Sequence, residues 1–247
     1  MFDVEAAMFE IDAPPCLSEL PRWAVVAFAA RCVRRVEPLV LRGEQCYEDH
    51  MSKAIEMAEK LAAKAYSSAD RNVALADHKH LTKMANRLLN GAVFCDGRET
   101  KANIISSEFR DKFDNIAADD ALKACLFFRS VRHSLNAGRL LIEATACAAS
   151  PVLYETVEYC VGRTKASAET SIRSCKEAAV WCNDLTFQSG FSMDLKLIIK
   201  ASHDNKWHHN TPVPPSVFGN LWPNGPPVVV VPPHRTKLGW FSWSKYD

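Results

Sequence analysis

The chain has 247 residues, 48% of them hydrophobic, which is ample to bury the core of one large domain or two small ones. With 30 Lys and Arg against 29 Asp and Glu, its net charge is +1, which excludes a bulk electrostatic drive toward nucleic acid or an anionic membrane. Apolar runs break before the roughly eighteen residues of a membrane span, and Met1–Glu10 carries Asp3, Glu5 and Glu10 without a basic leader. A globular cytoplasmic protein with no membrane partner is therefore expected.

In chain order, Pro21 sits where a helix can begin, because the first turn does not need its N–H. Trp23 to Val36 then runs apolar, interrupted only by Arg31, Arg34 and Arg35, and predicts a buried helix with one basic edge that Pro38 ends or kinks. Met51, Ala54, Ile55, Ala58, Leu61, Ala62 and Ala65 recur at the 3.6-residue spacing of an amphipathic helix over about 48–66. Ser67 and Asp70 have capping spacing, and Val73 to Leu88 continue as a helix that Asn90 and Gly91 should stop.

Residues 92–115, with Asp96 and Gly97, read as a loop holding one or two short helices, and Cys95 falls in it. From Ala117 to Ala149 apolar residues cover more than one side, which predicts a helix central to a bundle. Ser150-Pro151 marks a break and restart, followed by a long helix to Asp184 with a kink expected near Gly162. Gln188, Ser189 and Gly190 predict another break, with Ser192 capping a last helix over 193–202 that buries Leu195, Ile198 and Ile199. Val228 to Val231, bounded by prolines, could be an edge strand or a polyproline-like segment. Small-residue pairs such as Ala29-Ala30 and Ala178-Ala179 predict close helix packing.

Between Trp207 and Trp243 lie 8 of the 13 prolines and 4 of the 6 tryptophans. Such a tail is too apolar for a solvated linker, while its prolines lower the entropy lost on fixing an extended path. The fold class is thus all-α: an orthogonal or irregular multi-helix bundle over 1–205, wrapped by an extended Pro/Trp-rich tail over 206–247 within one domain. The tail is an intramolecular clamp or, alternatively, a strap that inserts an aromatic into a partner.

No catalytic signature emerges. The chain lacks GxSxG, Walker, GxGxxG, HExxH and EF-hand patterns. Its 9 cysteines show no CxxC spacing and sit mostly in Ala-rich helical sequence, as reduced core thiols rather than metal ligands or disulfides. His203, His208, His209 and His234 lack convergent ligand spacing, and the acid pairs Glu48-Asp49 and Asp119-Asp120 diverge by about 100° on a helix. No catalytic, cofactor or metal residue is assigned. Arg129, Arg132 and Arg139 form a possible second basic edge, which matters if it converges with the first on one concavity. Partner-binding candidates are Arg31, Arg34, Arg35, Trp207, Phe218, Trp222, Trp240 and Trp243.

Two segments carry a resemblance. Leu20-Pro21-Arg22-Trp23 through Pro38-Leu39 resembles the opening helix of a predicted all-α immunity-protein family associated with bacterial polymorphic toxins. Thr211-Pro212-Val213-Pro214-Pro215-Ser216-Val217-Phe218-Gly219-Asn220-Leu221-Trp222-Pro223 resembles the close of bacterial proteins that share such helical bodies. Together the segments cover 33 of the 247 residues. The resemblance implies a non-enzymatic protein of bacterial conflict that binds a toxin, an effector or a defence-complex subunit, and it carries over no site residues. The competing expectation is an enzyme or small-ligand sensor with a pocket between helices lined by Arg, His and acidic side chains.

Overall fold

The computed structural model describes residues 15–43, 45–64, 71–112, 115–149, 157–181 and 185–222. After a 3-10 turn at Pro15–Glu19 come six helices: α1 (Arg22–Gly43), α2 (Gln45–Lys64), α3 (Arg71–Asp111), α4 (Asn115–Ala149), α5 (Val157–Trp181) and α6 (Leu185–Asp204). The described residues contain no strand, and none of their helices is long and apolar enough to cross a membrane. Val228–Val231, Trp240, Trp243 and the Ser67–Asp70 capping signal lie outside the described residues.

Two helices form the centre. α1 is buried almost all round, from Trp23 to Val40, because it packs on α2, α4, α5 and α6. α4 lies between α3 and α5 and also touches α1 and α2, so its apolar residues need more than one face. Alanines line the packed faces: Ala29, Ala30, Ala178 and Ala179 are fully buried. Buried hydroxyls are satisfied locally or across helices, as where Ser171 Oγ donates to the Ala137 carbonyl at 2.7 Å.

Three expected interruptions are helical. Pro38 lies inside α1, and Leu39 and Val40 beyond it are fully buried, which offsets a defect of about 3 kcal/mol for proline in a helix. Gly91 does not stop α3: a Cβ there would sit 2.9 Å from the Tyr47 ring, so this glycine admits α2. The expected loop over 92–115 is helical to Asp111, because Ala92, Cys95, Glu99, Ala102 and Ser106 extend the buried stripe of Leu81, Met84 and Leu88. Cys95 is therefore a buried helical thiol, not a loop residue.

The break expected at Gln188-Ser189-Gly190 is likewise absent. α6 starts at Leu185, so Ser192 is interior rather than an N-cap. Gly190 is there for contact: a Cβ would lie 2.3 Å from Arg35 Nη1. Ile198 is fully buried, with Leu195 and Ile199 half-buried beside it, as the apolar spacing predicts. α5 is helical from Val157 through Gly162 to Trp181, and the expected end at Asp184 lies outside the described residues.

Candidate functional site

A polar seam joins α1, α6 and the segment after α6, and it begins with the way α6 ends. Trp207 N–H donates to the Ser202 carbonyl at 3.0 Å and Lys206 N–H to His203 at 3.2 Å, with Lys206 at φ 48°. This is the six-to-one, five-to-two closure that glycine usually makes, here made by lysine. It sends residues 207–222 back over the body as a strap. His208 and Thr211 close a turn, with Thr211 N–H donating to the His208 carbonyl at 2.9 Å. Val213 N–H then donates to the Ala62 carbonyl of α2 at 2.8 Å, tying the strap to that helix.

Arginines of α1 hold this strap. Arg22 Nη2 donates to Asn210 Oδ1 at 2.6 Å and its Nε to the His209 carbonyl at 3.0 Å. Arg31 and Arg35, one turn apart on a shared face, converge on Asp194 of α6: Arg35 Nε at 2.7 Å and Arg31 Nε at 3.2 Å, both on Oδ2. The same two guanidiniums reach the strap. Arg31 Nη2 donates to the Gly219 carbonyl at 2.7 Å and Arg35 Nη1 to the Leu221 carbonyl at 2.6 Å. The Phe218 ring faces the Arg31 guanidinium and the Trp222 ring that of Arg35, at 5.5 and 5.1 Å from ring centre to guanidinium.

The seam is buried. Side-chain exposure is 1% for both Arg35 and Asp194, and Phe218 is 7% exposed. Asp194 Oδ1 and Arg35 Nη2 have no hydrogen-bond partner among the described residues. Cys32 is close enough to feel Asp194, Arg35 and Arg31, yet burial dominates and pushes its thiol far above the ordinary range. It is a neutral thiol, not a nucleophile.

Of the eight expected partner-binding residues, the structure brings Arg31, Arg35, Phe218 and Trp222 into this seam. Arg34 turns the other way and grips Glu59 of α2 with two bonds of 2.9 and 2.7 Å, which raise its pKa. Trp207 is half-buried against the core at the start of the strap. The second basic edge meets α3 instead: Arg129 and Arg132 both bind Glu99, and Arg132 reaches Asp96 at 3.4 Å. Arg139 pairs with Glu143 on its own helix. The two edges thus serve different helix interfaces and share no acidic partner.

Sequence reading missed Arg22 and Asp194. A signal for Asp194 existed, since it falls between Phe191 and Ile198 on the apolar stripe of α6, where an acid needs a buried cation. Beside the seam a recess of about 30 Å³ is lined by Ala27, Arg31, Glu59, Val213, Pro215 and Phe218. It is water-sized, whereas a small-molecule pocket spans roughly 300–1,000 Å³. Among the described residues no three His, Cys, Asp or Glu side chains gather as metal ligands.

One end of the strap holds a histidine whose charged form its surroundings disfavour. Arg22 N–H donates to His209 Nδ1 at 3.3 Å, and burial, then Lys165, Arg22 and His208, lower the His209 pKa against an opposing Glu158. A histidine with a folded pKa below its unfolded value of about 6.5 stabilises the fold above that value and loses its contribution as pH falls through the folded pKa. Melting temperature should therefore fall more between about pH 7.5 and 5 in the native chain than in His209→Gln, which keeps an acceptor but does not titrate. Equal slopes in the two would remove His209 from the acid response.

Comparison of the chain with protein-family models, with curated proteins and with solved structures finds no match.

Proposed function

We propose that the chain is a non-enzymatic, cytoplasmic binding module whose partner is another protein, and that it works in bacterial immunity or defence by engaging a toxin, an effector or a defence-complex subunit. The setting rests on the likeness of segments 20–39 and 211–223 to the immunity-protein family and to bacterial proteins with such helical bodies. The observation that carries the binding role is the outer side of the strap. Trp207, Val217, Leu221 and Trp222 stay half-buried along a path that Arg22, Arg31 and Arg35 fix from beneath, beside exposed Pro215, Ser216 and Asn220. A pre-ordered apolar and aromatic ridge loses little entropy on docking, and tryptophan is the side chain most enriched at binding hot spots.

Nucleic acid is the poorer partner for this surface, because the arginines that would meet phosphate are already held by Asp194, Glu59 and strap carbonyls. The test is co-purification of the tagged full chain from its native host, beside a Ser216→Arg/Asn220→Arg variant. Both positions are exposed, and the one bond lost, from Trp222 N–H to Asn220 Oδ1 at 3.2 Å, is itself exposed, so the fold should survive. A protein partner should be retained by the native chain and lost at least about tenfold by the variant. If the protein instead comes down alone and turns over a nucleotide or peptide, the binding role fails.

A further inference from the structure

α3 is 41 residues long and packs on α4 and α2 through the stripe from Leu81 to Ser106. Its outer side has an unusual composition. Thr82, Asn86, Leu89, Val93, Gly97, Thr100, Ile104 and Ser107 are all exposed. At about 100° per residue they fall within an arc of roughly 80° and run for about 37 Å along the helix. None carries a charge, although 24% of the chain is charged. Val93 is 64% exposed, Ile104 53% and Leu89 41%. A long neutral stripe with three large apolar side chains in water is the pattern of a face that meets another helix.

The charges at its two ends say which helix. Lys79 and Lys83 flank the N-terminal end, and Glu108 and Asp111 flank the C-terminal end, all four exposed. None of them forms an ion pair within the chain among the described residues. Arg110 points roughly 100° away from Asp111, exposed Lys112 lies on the outer flank beyond Glu108, Asp96 near the axis is paired with Arg132 at 3.4 Å, and Lys101 falls opposite the neutral Leu89-Asn90 step when the stripe is reversed. We propose that this face is where a second copy of the chain docks, antiparallel, on a two-fold axis near residue 95. That register sets Lys79 against Asp111 and Lys83 against Glu108 of the second copy, and the axis repeats both pairs.

The apolar centre fits the same register. Val93 comes over Gly97 of the second copy, where an added Cβ would meet nothing, so the bare backbone forms a hole for the valine. Leu89 comes between Thr100 and Ile104. A parallel pairing would instead stack lysine on lysine and acid on acid. The isologous arrangement closes on itself and yields a dimer, not a filament. It uses a surface separate from the strap and stands whether or not the strap binds a partner.

Sedimentation of the full chain between about 1 and 300 μM tests it. The native chain should pass from monomer to dimer. Lys79→Glu/Lys83→Glu and Glu108→Lys/Asp111→Lys should each lose association at least about tenfold, because both pairs of end contacts become repulsive. An equimolar mixture of the two variants should recover it, since every end contact is then between opposite charges. All four positions are exposed, so circular dichroism should be unchanged. A native chain that stays monomeric throughout overturns the proposal. So does a dimer that is indifferent to both charge variants, or a mixture that fails to associate.

Discussion

Replacing Asp194 by alanine should cost about 3–5 kcal/mol of stability, the range for removing one partner of a buried ion pair. The reason is the accounting of charge in the seam. Among the described residues Asp194 is the carboxylate paired with both Arg31 and Arg35, and Arg35 is 1% exposed with Gly190 pressed on its guanidinium. Without the carboxylate, Arg35 keeps the Leu221 carbonyl and the Trp222 ring, which do not neutralise a buried cation. Arg31 suffers less, because its side chain is 11% exposed and also bonds the Gly219 carbonyl. For a chain of this length the melting temperature should fall by about 10 °C, and the denaturation midpoint should drop at an unchanged slope.

Two companion variants separate the charge from the space it fills. Asp194→Asn keeps an acceptor while removing the charge, so it should lie between the native chain and Asp194→Ala. Arg35→Leu/Asp194→Leu removes both buried charges and should be more stable than Asp194→Ala, since an apolar pair of similar volume can replace a buried ion pair. A loss under about 1 kcal/mol for Asp194→Ala would mean that the seam does not depend on this carboxylate.

The same residues show what could be read from the sequence. The all-α class, the buried α1, the central α4 and the apolar face of α6 follow from periodicity, because each presents Leu, Ile, Val or Phe at helical spacing. The second half of α3 does not, because its buried positions are Ala92, Cys95, Glu99, Ala102 and Ser106. Small and polar residues become core only where a neighbour completes them, as Arg129 and Arg132 complete Glu99. Gly91 and Gly190 mislead for a related reason. A glycine that ends a helix and one that admits Tyr47 or Arg35 are identical letters, and contact from another helix decides between them.

The basic edge of α1 was legible as an edge, but its direction was not. Arg34 and Arg35 are adjacent, yet one bonds Glu59 of α2 and the other Asp194 of α6. Adjacent residues on a helix point about 100° apart, so they reach different neighbours. Which neighbour stands on each side is a tertiary fact. The strap launched at Lys206 is similar, since the helix stop is made by a lysine in a conformation that sequence rules reserve for glycine or asparagine.

Phe218→Ala should lower stability by about 2–3 kcal/mol, at or just below the range of roughly 3–5 for deleting a core aromatic, because Phe218 anchors a surface strap and not the middle of the bundle. The value has a ceiling set by the strap itself. If residues 207–222 can detach while the helices stay folded, no change within the strap can cost more than its attachment free energy. Val213, 1% exposed and bonded through its N–H to the Ala62 carbonyl, is the second anchor. Phe218→Ala/Val213→Ala should therefore cost less than the sum of the single variants, since the first already approaches detachment. A chain ending at Asn205 should be at least as destabilised as the double variant, because it also strips the strap carbonyls from Arg22, Arg31 and Arg35. An unchanged melting temperature in that truncated chain would show that the strap lies on the body without holding it.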